Sequence, residues 1–225
     1  MPLHPRELTL LSPRAVPKRR DDFARGRFVA RQLLSRSLFI DPARCAVLPD
    51  AQGVPWAEDD VHGRLPISLS ISHTAGLAAA AVVSLPCRVG IDVERPIEDA
   101  ASIVRDYFTV MELRLVGEVE LEERPWRAAE IWALKEAGMK SLGTGLRIPT
   151  TAVEVVGIAA EAHARGWCRV DIMLGAGAPK TRWPVRAWLC RHREVVVALS
   201  VLEEGGGSVS EPGPPIVFGP FTSPA

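Results

Sequence analysis

The feature that most constrains the fold is a run of alternating residues between positions 66 and 94. From Pro66 to His73 apolar and polar side chains alternate strictly, and Leu77 to Ser84 is an apolar stretch. Val89 to Glu94 alternates apolar and acidic residues. Alternation with a period of two is typical of β-strands that bury one face. The short connections between these segments predict a small antiparallel meander of three strands.

Helical periodicity lies on both sides of this meander. Apolar residues fall near helical spacing from Arg19 to Leu38, where Asp21 or Asp22 is a candidate cap. Pro125 to Leu142 is the clearest helix, because its periodic pattern ends at a glycine-rich stop. Helices mixed with antiparallel strands predict the α+β class. Further helices are predicted at Ile97–Val104 and Tyr107–Val119, and further strands at Thr151–Ile158, Cys168–Met173, Val185–Cys190 and Val195–Val201.

A helix followed by a hairpin occurs twice along the chain. Phe23–Leu38 precedes Ser68–Ser84, and Trp126–Leu142 precedes Val185–Val201. This recurrence indicates two pseudo-symmetric α+β halves with a ligand cleft between them, and chance repetition of a common unit is the alternative. The predicted boundaries are residues 1–104 for the N-terminal half and 105–203 for the C-terminal half. The Gly-, Ser- and Pro-rich residues 204–225 are predicted to be a disordered tail.

Composition excludes several classes of function. The 27 basic residues balance the 27 acidic residues, so no global field favours nucleic acid or a membrane surface. The sequence has no apolar run of membrane-spanning length and no apolar signal region at its N-terminus, which predicts a cytoplasmic location. The four cysteines are scattered without a Cys-x-x-Cys pair, which favours reduced thiols over a zinc site or disulfides.

Carboxylates in two segments are placed to converge on one point. In the strand Val89–Glu94, Asp92 and Glu94 face the side opposite the apolar residues. In the helix, Glu136 and Lys140 are four residues apart and share one face. Hard oxygen ligands bind Mg²⁺ and an ammonium offsets phosphate charge, so together these residues indicate a magnesium and diphosphate site. Taken singly, each pair has a simpler reading as an exposed ion pair or as the solvated face of an edge strand.

Four motifs occur in the order and approximate spacing of a known enzyme family. They are Ile71-Ser72-His73-Thr74, Val89-Gly-Ile-Asp-Val-Glu94, Phe108-Thr-Val-Met-Glu112 and Trp132-Ala-Leu-Lys-Glu-Ala-Gly-Met-Lys140. Together they resemble the 4'-phosphopantetheinyl transferases, and the length is similar to the single-chain, surfactin-synthetase-activating (Sfp) type. The resemblance implies transfer of the phosphopantetheine arm of coenzyme A to a serine of an acyl or peptidyl carrier protein, with release of adenosine 3',5'-bisphosphate.

The resemblance also implies roles for individual residues. Asp92 and Glu136 would ligate Mg²⁺ on the diphosphate of coenzyme A, with Glu94 as a third or water-mediated ligand. Either Glu136, or Glu112 through a water molecule, would be the general base for the serine. The other implied contacts are those of Ser72 and His73 with coenzyme A phosphates, Arg20 and Arg25 with the 3'-phosphate, Lys135 with phosphate or the neighbouring carboxylates, and Lys140 with the leaving bisphosphate.

Two positions depart from what the family pattern or the helix favours. The family often has lysine in the middle of the triplet that is Gly53-Val54-Pro55 here, and Arg64 is a candidate to replace that cation. Gly138 lies inside the key helix, where it costs about 1 kcal/mol relative to alanine. Close approach of another backbone, or of the carrier, would explain this glycine.

Two other functional classes use similar residues. A P-loop phosphoryl transferase needs a Gly-x-x-x-x-Gly-Lys-Ser/Thr loop, which the sequence lacks. A non-catalytic coenzyme A or carrier-protein binding module is the remaining alternative, although the presence of Asp92, Glu136 and Lys140 favours catalysis. The carrier is expected to dock around Phe108–Val116 and Met139–Leu146. A cleft formed within one chain predicts a monomer.

Overall fold

A computed structural model of the chain describes residues 3–98, 101–158, 166–175, 177–178 and 185–203. Within these ranges helices combine with antiparallel strands, which confirms the α+β class. The predicted disordered tail, residues 204–225, lies outside the described residues. No helix within the described ranges has both the length and the apolar character needed to cross a membrane.

Each predicted helical segment overlaps an observed helix, although the segment expected at Ile97–Val104 is helical at Ala101–Tyr107. The short helix Pro5–Leu8 was not predicted, and the cap predicted for the longest helix is wrong. The long N-terminal helix begins at Pro17, before Asp21 and Asp22, and its N-cap residue Val16 makes no side-chain cap. Proline suits a first turn because the N–H group that it lacks would have no partner inside the helix. The helices are α1 (Pro5–Leu8), α2 (Pro17–Leu38), α3 (Ala101–Tyr107), α4 (Val110–Gly117) and α5 (Arg124–Ser141).

Antiparallel pairing organises the strands of the described residues into sheets. The strands are β1 (Cys45–Pro49), β2 (Pro55–Asp59), β3 (Gly63–Arg64), β4 (Ile67–Thr74), β5 (Leu77–Ser84), β6 (Arg88–Glu94), β7 (Val153–Gly157), β8 (Cys168–Leu174), β9 (Val185–His192) and β10 (Val195–Leu202). In one sheet the order is β1-β2-β3, β4 and β5 form a hairpin, and in the largest sheet the order is β6-β10-β9-β8-β7. A long helix thus precedes a hairpin twice, as α2 before β4–β5 and α5 before β9–β10.

The predicted three-stranded meander is wrong in its third strand. β6 pairs with β10 in the largest sheet, with Asp92 opposite Ala198. Its other edge lies against β4, where serine hydroxyls take the place of a backbone ladder. The N–H groups of Val89, Ile91 and Val93 donate to the Oγ atoms of Ser68, Ser70 and Ser72, at 3.1, 3.0 and 3.4 Å. β6 therefore joins the hairpin to the largest sheet, and the boundary at residue 104 stays a prediction.

Separate apolar clusters hold α2 and α5 against their sheets. Leu34 of α2 packs with residues of β1 and β4 in one cluster, and Leu134 of α5 packs with residues of the largest sheet in another. Ile91 and Val93 belong to a third cluster with residues of β10, which confirms that they face away from the acids of their own strand. Cys45 lies in the first of these clusters, and all four cysteines are free thiols as predicted.

Glycine lets β6 touch the backbone of α5. A Cβ atom at Gly90 would lie 2.0 Å from the carbonyl oxygen of Ala137 and 2.6 Å from the nitrogen of Ser141. At Gly138 the neighbour is a side chain, since a Cβ atom would lie 2.8 Å from Cγ1 of Val153. The expected explanation of Gly138, another backbone or the carrier, is therefore replaced by packing against β7. Gly90 fixes the separation between the strand and the helix that carry the acids.

Gly90→Ala is expected to lower the free energy of unfolding by about 2–3 kcal/mol, because a methyl group cannot fit against backbone atoms without moving α5. Gly117→Ala is the matched control, since no heavy atom lies within 4 Å of its Cβ position at the end of α4. The control is expected to be as stable as the wild type or slightly more stable. Urea denaturation measures the free energy of unfolding of both variants. A Gly90→Ala protein as stable as the wild type would contradict the close approach of β6 to α5.

Candidate active site

Asp92 is the most deeply buried acid of the cluster, with 3% of its surface exposed. Its Oδ1 atom accepts hydrogen bonds from the hydroxyl of Ser72 at 2.8 Å and from Nζ of Lys140 at 2.7 Å. Its Oδ2 atom is buried and has no hydrogen-bond partner among the described residues. A buried carboxylate oxygen without a partner is costly. The two oxygens of Asp92 therefore differ, and Oδ2 is suited to a bound cation.

Glu94 and Glu136 complete the acidic cluster around Lys140. Burial raises the pKa of Glu94 to about 7, and the charge of Asp92 adds to the shift while Lys140 opposes it. Burial also raises the pKa of Glu136, again with Lys140 opposing the shift and Asp92 adding to it. Nζ of Lys140 also donates to the carbonyl of Ile91 at 3.1 Å. The structure thus brings together the three acids and the lysine that the sequence singled out.

The cluster fits a magnesium ion that is completed by substrate and water. Within the described ranges, no group of three or more His, Cys, Asp and Glu side chains is arranged to hold a metal ion unaided. Mg²⁺ commonly binds through one or two carboxylates, keeps several waters and uses phosphate oxygens of the substrate. The unpaired Oδ2 of Asp92 and the nearby carboxylates of Glu94 and Glu136 provide such a partial donor set.

A cleft opens beside Lys140 between the loop around residue 54 and the C-terminal end of α5. It comprises two adjoining spaces of about 490 Å³ and 190 Å³, and Val54, Lys140 and Gly143 line both. Arg64 lines the larger space, where its guanidinium lies 4.9 Å from the ring centre of Trp56. Arg147 lines the smaller space, and no sequence motif pointed to it because it ends a short 3-10 helix, Gly145–Arg147, beyond the last motif.

A second pocket, of about 460 Å³, lies at the start of α2. We call it the cation pocket, because Lys18, Arg19, Arg27 and His73 line it. The guanidinium of Arg27 lies 3.7 Å from the ring centre of Phe23, and burial lowers the pKa of Arg27. Stacked, partly desolvated arginine is suited to binding phosphate. The spacing of Phe23 and Arg27, four residues apart on a helix, is the signal that could have identified this arginine.

Three residues predicted to contact coenzyme A face elsewhere. Ser72 and His73 point to opposite faces of β4, and the hydroxyl of Ser72 donates to Asp92. Arg20 donates to backbone carbonyls of the preceding turn, at 2.9 and 2.5 Å. Arg25 donates to the carbonyl of Gly76 in the β4–β5 turn at 3.0 Å. His73 therefore lines the cation pocket, whereas Ser72, Arg20 and Arg25 are bonded to other groups of the chain, and their contacts with coenzyme A stay a prediction.

Glu112 and Lys135 form a buried ion pair inside the C-terminal core, and both side chains are 0% exposed. Nζ of Lys135 donates to both carboxylate oxygens, at 2.8 and 2.7 Å, and to the carbonyl of Val153 at 2.7 Å. Glu112 also accepts from the N–H groups of Thr109 and Val155. Desolvation lowers the pKa of Lys135, and the hydrogen bond to Glu112 opposes this shift.

These bonds bear on two predictions. The carboxylate of Glu112 is buried and already accepts four hydrogen bonds, which does not favour it as the general base. Of the two contacts predicted for Lys135, its ammonium group makes the one with a carboxylate, and its three N–H groups are occupied. The pair instead ties α4, α5 and β7 together, and its role is to support the helix that carries Glu136 and Lys140.

Two solved structures resemble part of the chain. One is a holo-(acyl-carrier-protein) synthase from Bacillus anthracis str. Ames in complex with CoA (3',5'-ADP), with 21% sequence identity and a TM-score of 0.42 over 52% of this chain and 96% of that chain. The other is the Thermotoga maritima holo-[acyl-carrier-protein] synthase (AcpS), with 28% identity and a TM-score of 0.40 over 52% of this chain and 62% of that chain.

Two curated proteins match about half of the chain. The 4'-phosphopantetheinyl transferase HetI of Nostoc sp. (strain PCC 7120) is 28% identical over 132 residues, which are 58% of this chain and 55% of HetI. The 4'-phosphopantetheinyl transferase gsp of Aneurinibacillus migulanus is 27% identical over 124 residues, which are 55% of this chain and 49% of gsp. The chain thus spans about half the length of the curated relatives that it matches.

Family models match almost all of the described structure. Residues 6–83 match the 4'-phosphopantetheinyl transferase N-terminal domain, and residues 88–198 match the 4'-phosphopantetheinyl transferase superfamily. The second match contains β6 and α5, the elements that carry the acidic cluster and Lys140. The two matches together span most of the chain, and the chain therefore belongs to the 4'-phosphopantetheinyl transferase superfamily.

Proposed function

We propose that this protein transfers the phosphopantetheine arm of coenzyme A to a serine hydroxyl of an acyl or peptidyl carrier protein, with Mg²⁺ and with release of adenosine 3',5'-bisphosphate. The observation that carries the proposal is the arrangement of Asp92. One of its oxygens is held by Lys140 and Ser72, and the other is buried without a hydrogen bond beside two further acids. This is the donor set expected at a diphosphate that is bridged by a cation.

Asp92, Glu94 and Glu136 are the residues that would hold the magnesium ion. When bound, the ion offsets the negative charge that would repel an incoming nucleophile and polarises the phosphoryl oxygens. The part of this chain in the reaction is to hold the diphosphate at the cluster and to exclude water from it. Lys140, with 26% of its side chain exposed, is near enough to the cleft to donate to the leaving bisphosphate.

Glu136 is the residue that we propose as the general base. Of the two glutamates implied by the family resemblance, Glu112 is sealed in the core, whereas Glu136 is half-buried in the acidic cluster. Burial raises the pKa of Glu136, which makes its ionised form a better acceptor for the hydroxyl proton of the carrier serine. Glu136 has two carboxylate oxygens, so it could help to hold the ion and also accept the serine proton.

The cation pocket is the proposed site for the 3'-phosphate of coenzyme A. The positive charges of Lys18, Arg19 and Arg27 outnumber the single negative charge of Asp22, which also lines the pocket. His73 adds a ring nitrogen that can donate. The cleft beside Lys140 would then hold the rest of the molecule. Arg64 lines the same cleft as Val54, which supports the proposal that it replaces the lysine missing from the triplet.

The carrier protein is proposed to dock on exposed apolar side chains of α4 and of the turn that follows α5. Within the predicted docking segments, Phe108, Leu115 and Met139 are buried in the core and are not available. The exposed members are Val110 at 68%, Met111 at 41%, Leu113 at 40% and Leu146 at 65%. Exposed apolar side chains of this kind are typical of protein interaction surfaces.

Lys140→Ala is expected to lower kcat by about 100-fold, because it removes a charged donor that stabilises the leaving bisphosphate in the transition state. The KM for coenzyme A is expected to change much less. Chromatography measures the release of adenosine 3',5'-bisphosphate at a saturating concentration of apo carrier. The dependence of this rate on coenzyme A concentration gives kcat and KM separately.

Arg169→Ala is the matched control for the loss of one positive charge. Arg169 is exposed on β8, which two strands separate from β6 in the sheet order. Its replacement is expected to leave both constants unchanged. An unchanged kcat in Lys140→Ala would contradict the role of Lys140 in the reaction, and loss of activity in both variants would point to a general effect of net charge.

A further inference from the structure

One face of β4 carries a row of hydroxyl groups. Ile67, Leu69 and Ile71 point into or against the core beneath α2, and the residues between them point the other way, towards β6. β4 forms backbone hydrogen bonds with β5. Its contact with β6 is made by side chains. The members of this row are Ser68, Ser70, Ser72 and Thr74.

The first two hydroxyls of the row hold the backbone of β6. Ser68 accepts the N–H of Val89 at 3.1 Å, and Ser70 accepts the N–H of Ile91 at 3.0 Å. These bonds satisfy donors at the edge of the strand, which otherwise have no ladder partner on that side. Their role is structural, because they fix the register of β6 against β4.

The last two hydroxyls of the row reach the acids. Ser72 accepts the N–H of Val93 at 3.4 Å and also donates its own proton to Oδ1 of Asp92 at 2.8 Å. The side chain of Thr74 makes a hydrogen bond with the carboxylate of Glu94. The first hydroxyls of the row therefore bind backbone N–H groups of β6. The last two bind carboxylates, at the end of β6 where the acidic cluster lies.

The bond from Ser72 determines which oxygen of Asp92 is free. Ser72 and Lys140 both donate to Oδ1, and Oδ2 is left buried without a hydrogen bond among the described residues. Asp92 is 3% exposed and Ser72 is 7% exposed, so bulk water cannot readily replace this bond. A carboxylate held in this way cannot rotate without breaking two hydrogen bonds.

We propose that Ser72 is a positioning residue that orients Asp92 towards the magnesium ion, and that Thr74 supports Glu94 in the same way. The hairpin β4–β5 would thereby orient metal ligands that belong to the neighbouring sheet. This inference rests on the proposed function, because it assigns the support of the same metal site. Hydrogen-bond partners of metal ligands typically change metal affinity by about 10–100-fold when they are removed.

The test is the affinity of the protein for Mn²⁺ with saturating coenzyme A and no carrier protein, since substrate phosphate completes the proposed site. Electron paramagnetic resonance of the free ion measures this affinity. Ser72→Ala is expected to weaken Mn²⁺ binding by about 10-fold or more. Ser70→Ala is the matched control, since Ser70 is equally buried and loses the same kind of bond to a β6 N–H. Its affinity for Mn²⁺ is expected to stay within about twofold of the wild type, because no carboxylate is released.

A second pair of variants separates the hydroxyl from the volume of the side chain. Ser72→Thr keeps the hydroxyl group. Ser72→Val has nearly the same shape as Ser72→Thr, but carries a methyl group where threonine has its hydroxyl. The threonine variant is expected to bind Mn²⁺ like the wild type, and the valine variant like Ser72→Ala. Thermal melting of each variant shows whether it is folded, so that affinities are compared between folded proteins.

The outcomes distinguish the positioning role of Ser72 from the proposed function of the protein. Equal weakening in Ser72→Ala and Ser70→Ala, or equal affinities in the threonine and valine variants, would overturn the positioning role while leaving the metal site in place. A wild-type protein that binds no Mn²⁺ and transfers no phosphopantetheine would overturn the proposed function, and the positioning role with it. A tenfold loss that is specific to the hydroxyl of Ser72 supports both.

Discussion

Lys135→Met is expected to lower the free energy of unfolding by about 3–5 kcal/mol, because it leaves the charge of a buried glutamate without its partner. Both members of the Glu112–Lys135 pair are 0% exposed. The replacement removes three hydrogen bonds of the ammonium group and leaves the carbonyl of Val153 without that donor. Urea denaturation measures the loss through the transition midpoint, with the slope expected to stay unchanged.

The double variant Lys135→Met with Glu112→Gln tests the cause of that loss. If the uncompensated charge is responsible, neutralising Glu112 should restore part of the stability, although the amide cannot satisfy all the donors that the carboxylate accepts. Arg105→Met is a suitable comparison, since its side chain is 78% exposed and pairs with the adjacent Asp106. A loss below about 1 kcal/mol in Lys135→Met would contradict the buried pair, since exposed pairs contribute no more than that.

Asp92→Ala is expected to reduce transfer by at least about 100-fold while the protein remains folded, because it removes both the proposed metal ligand and an acceptor that holds Lys140. Asp92→Asn is the sharper variant, since the amide keeps the size of the side chain and can still accept from Ser72. It is expected to lose activity to a similar extent, because a neutral amide binds Mg²⁺ poorly. Glu136→Ala should behave in the same way. Steady-state transfer and circular dichroism together measure activity and fold.

Asp106→Asn is the matched control for the loss of one carboxylate. Asp106 lies on the surface in α3, where its side chain is 52% exposed. Its replacement is expected to leave transfer unchanged. Full activity in Asp92→Asn would contradict the metal assignment, whereas an unfolded Asp92→Asn protein would show that Asp92 acts mainly in stability.

The cluster of acids was predictable because local periodicity determines it. Alternation in β6 places Asp92 and Glu94 on one face, and the helical repeat places Glu136 and Lys140 on one face. What links the two faces is the close approach at Gly90, which the sequence alone does not reveal. A glycine in a strand has several explanations, and its contact with the α5 backbone depends on the tertiary structure.

The predictions that failed concern interactions between distant parts of the chain. β6 was expected to pair with β5 because the two are adjacent in sequence, but an edge strand can be satisfied by hydroxyls from one side and by β10 from the other. The family resemblance implied Arg20 and Arg25 as phosphate contacts, but the sequence alone does not show that both donate to backbone carbonyls of the chain. Glu112 has the sequence context of a functional acid, and its buried contact with Lys135 depends on the tertiary structure.

The most direct test of the central claim is the intact mass of purified apo carrier proteins after incubation with this protein and coenzyme A, with and without Mg²⁺. We expect at least one carrier to gain the mass of a single phosphopantetheine arm when Mg²⁺ is present and to gain none without the metal. Fatty-acid, polyketide and nonribosomal-peptide carriers should all be included. Tight binding of coenzyme A without a mass gain on any carrier would contradict the proposed transfer reaction and favour a non-catalytic binding module.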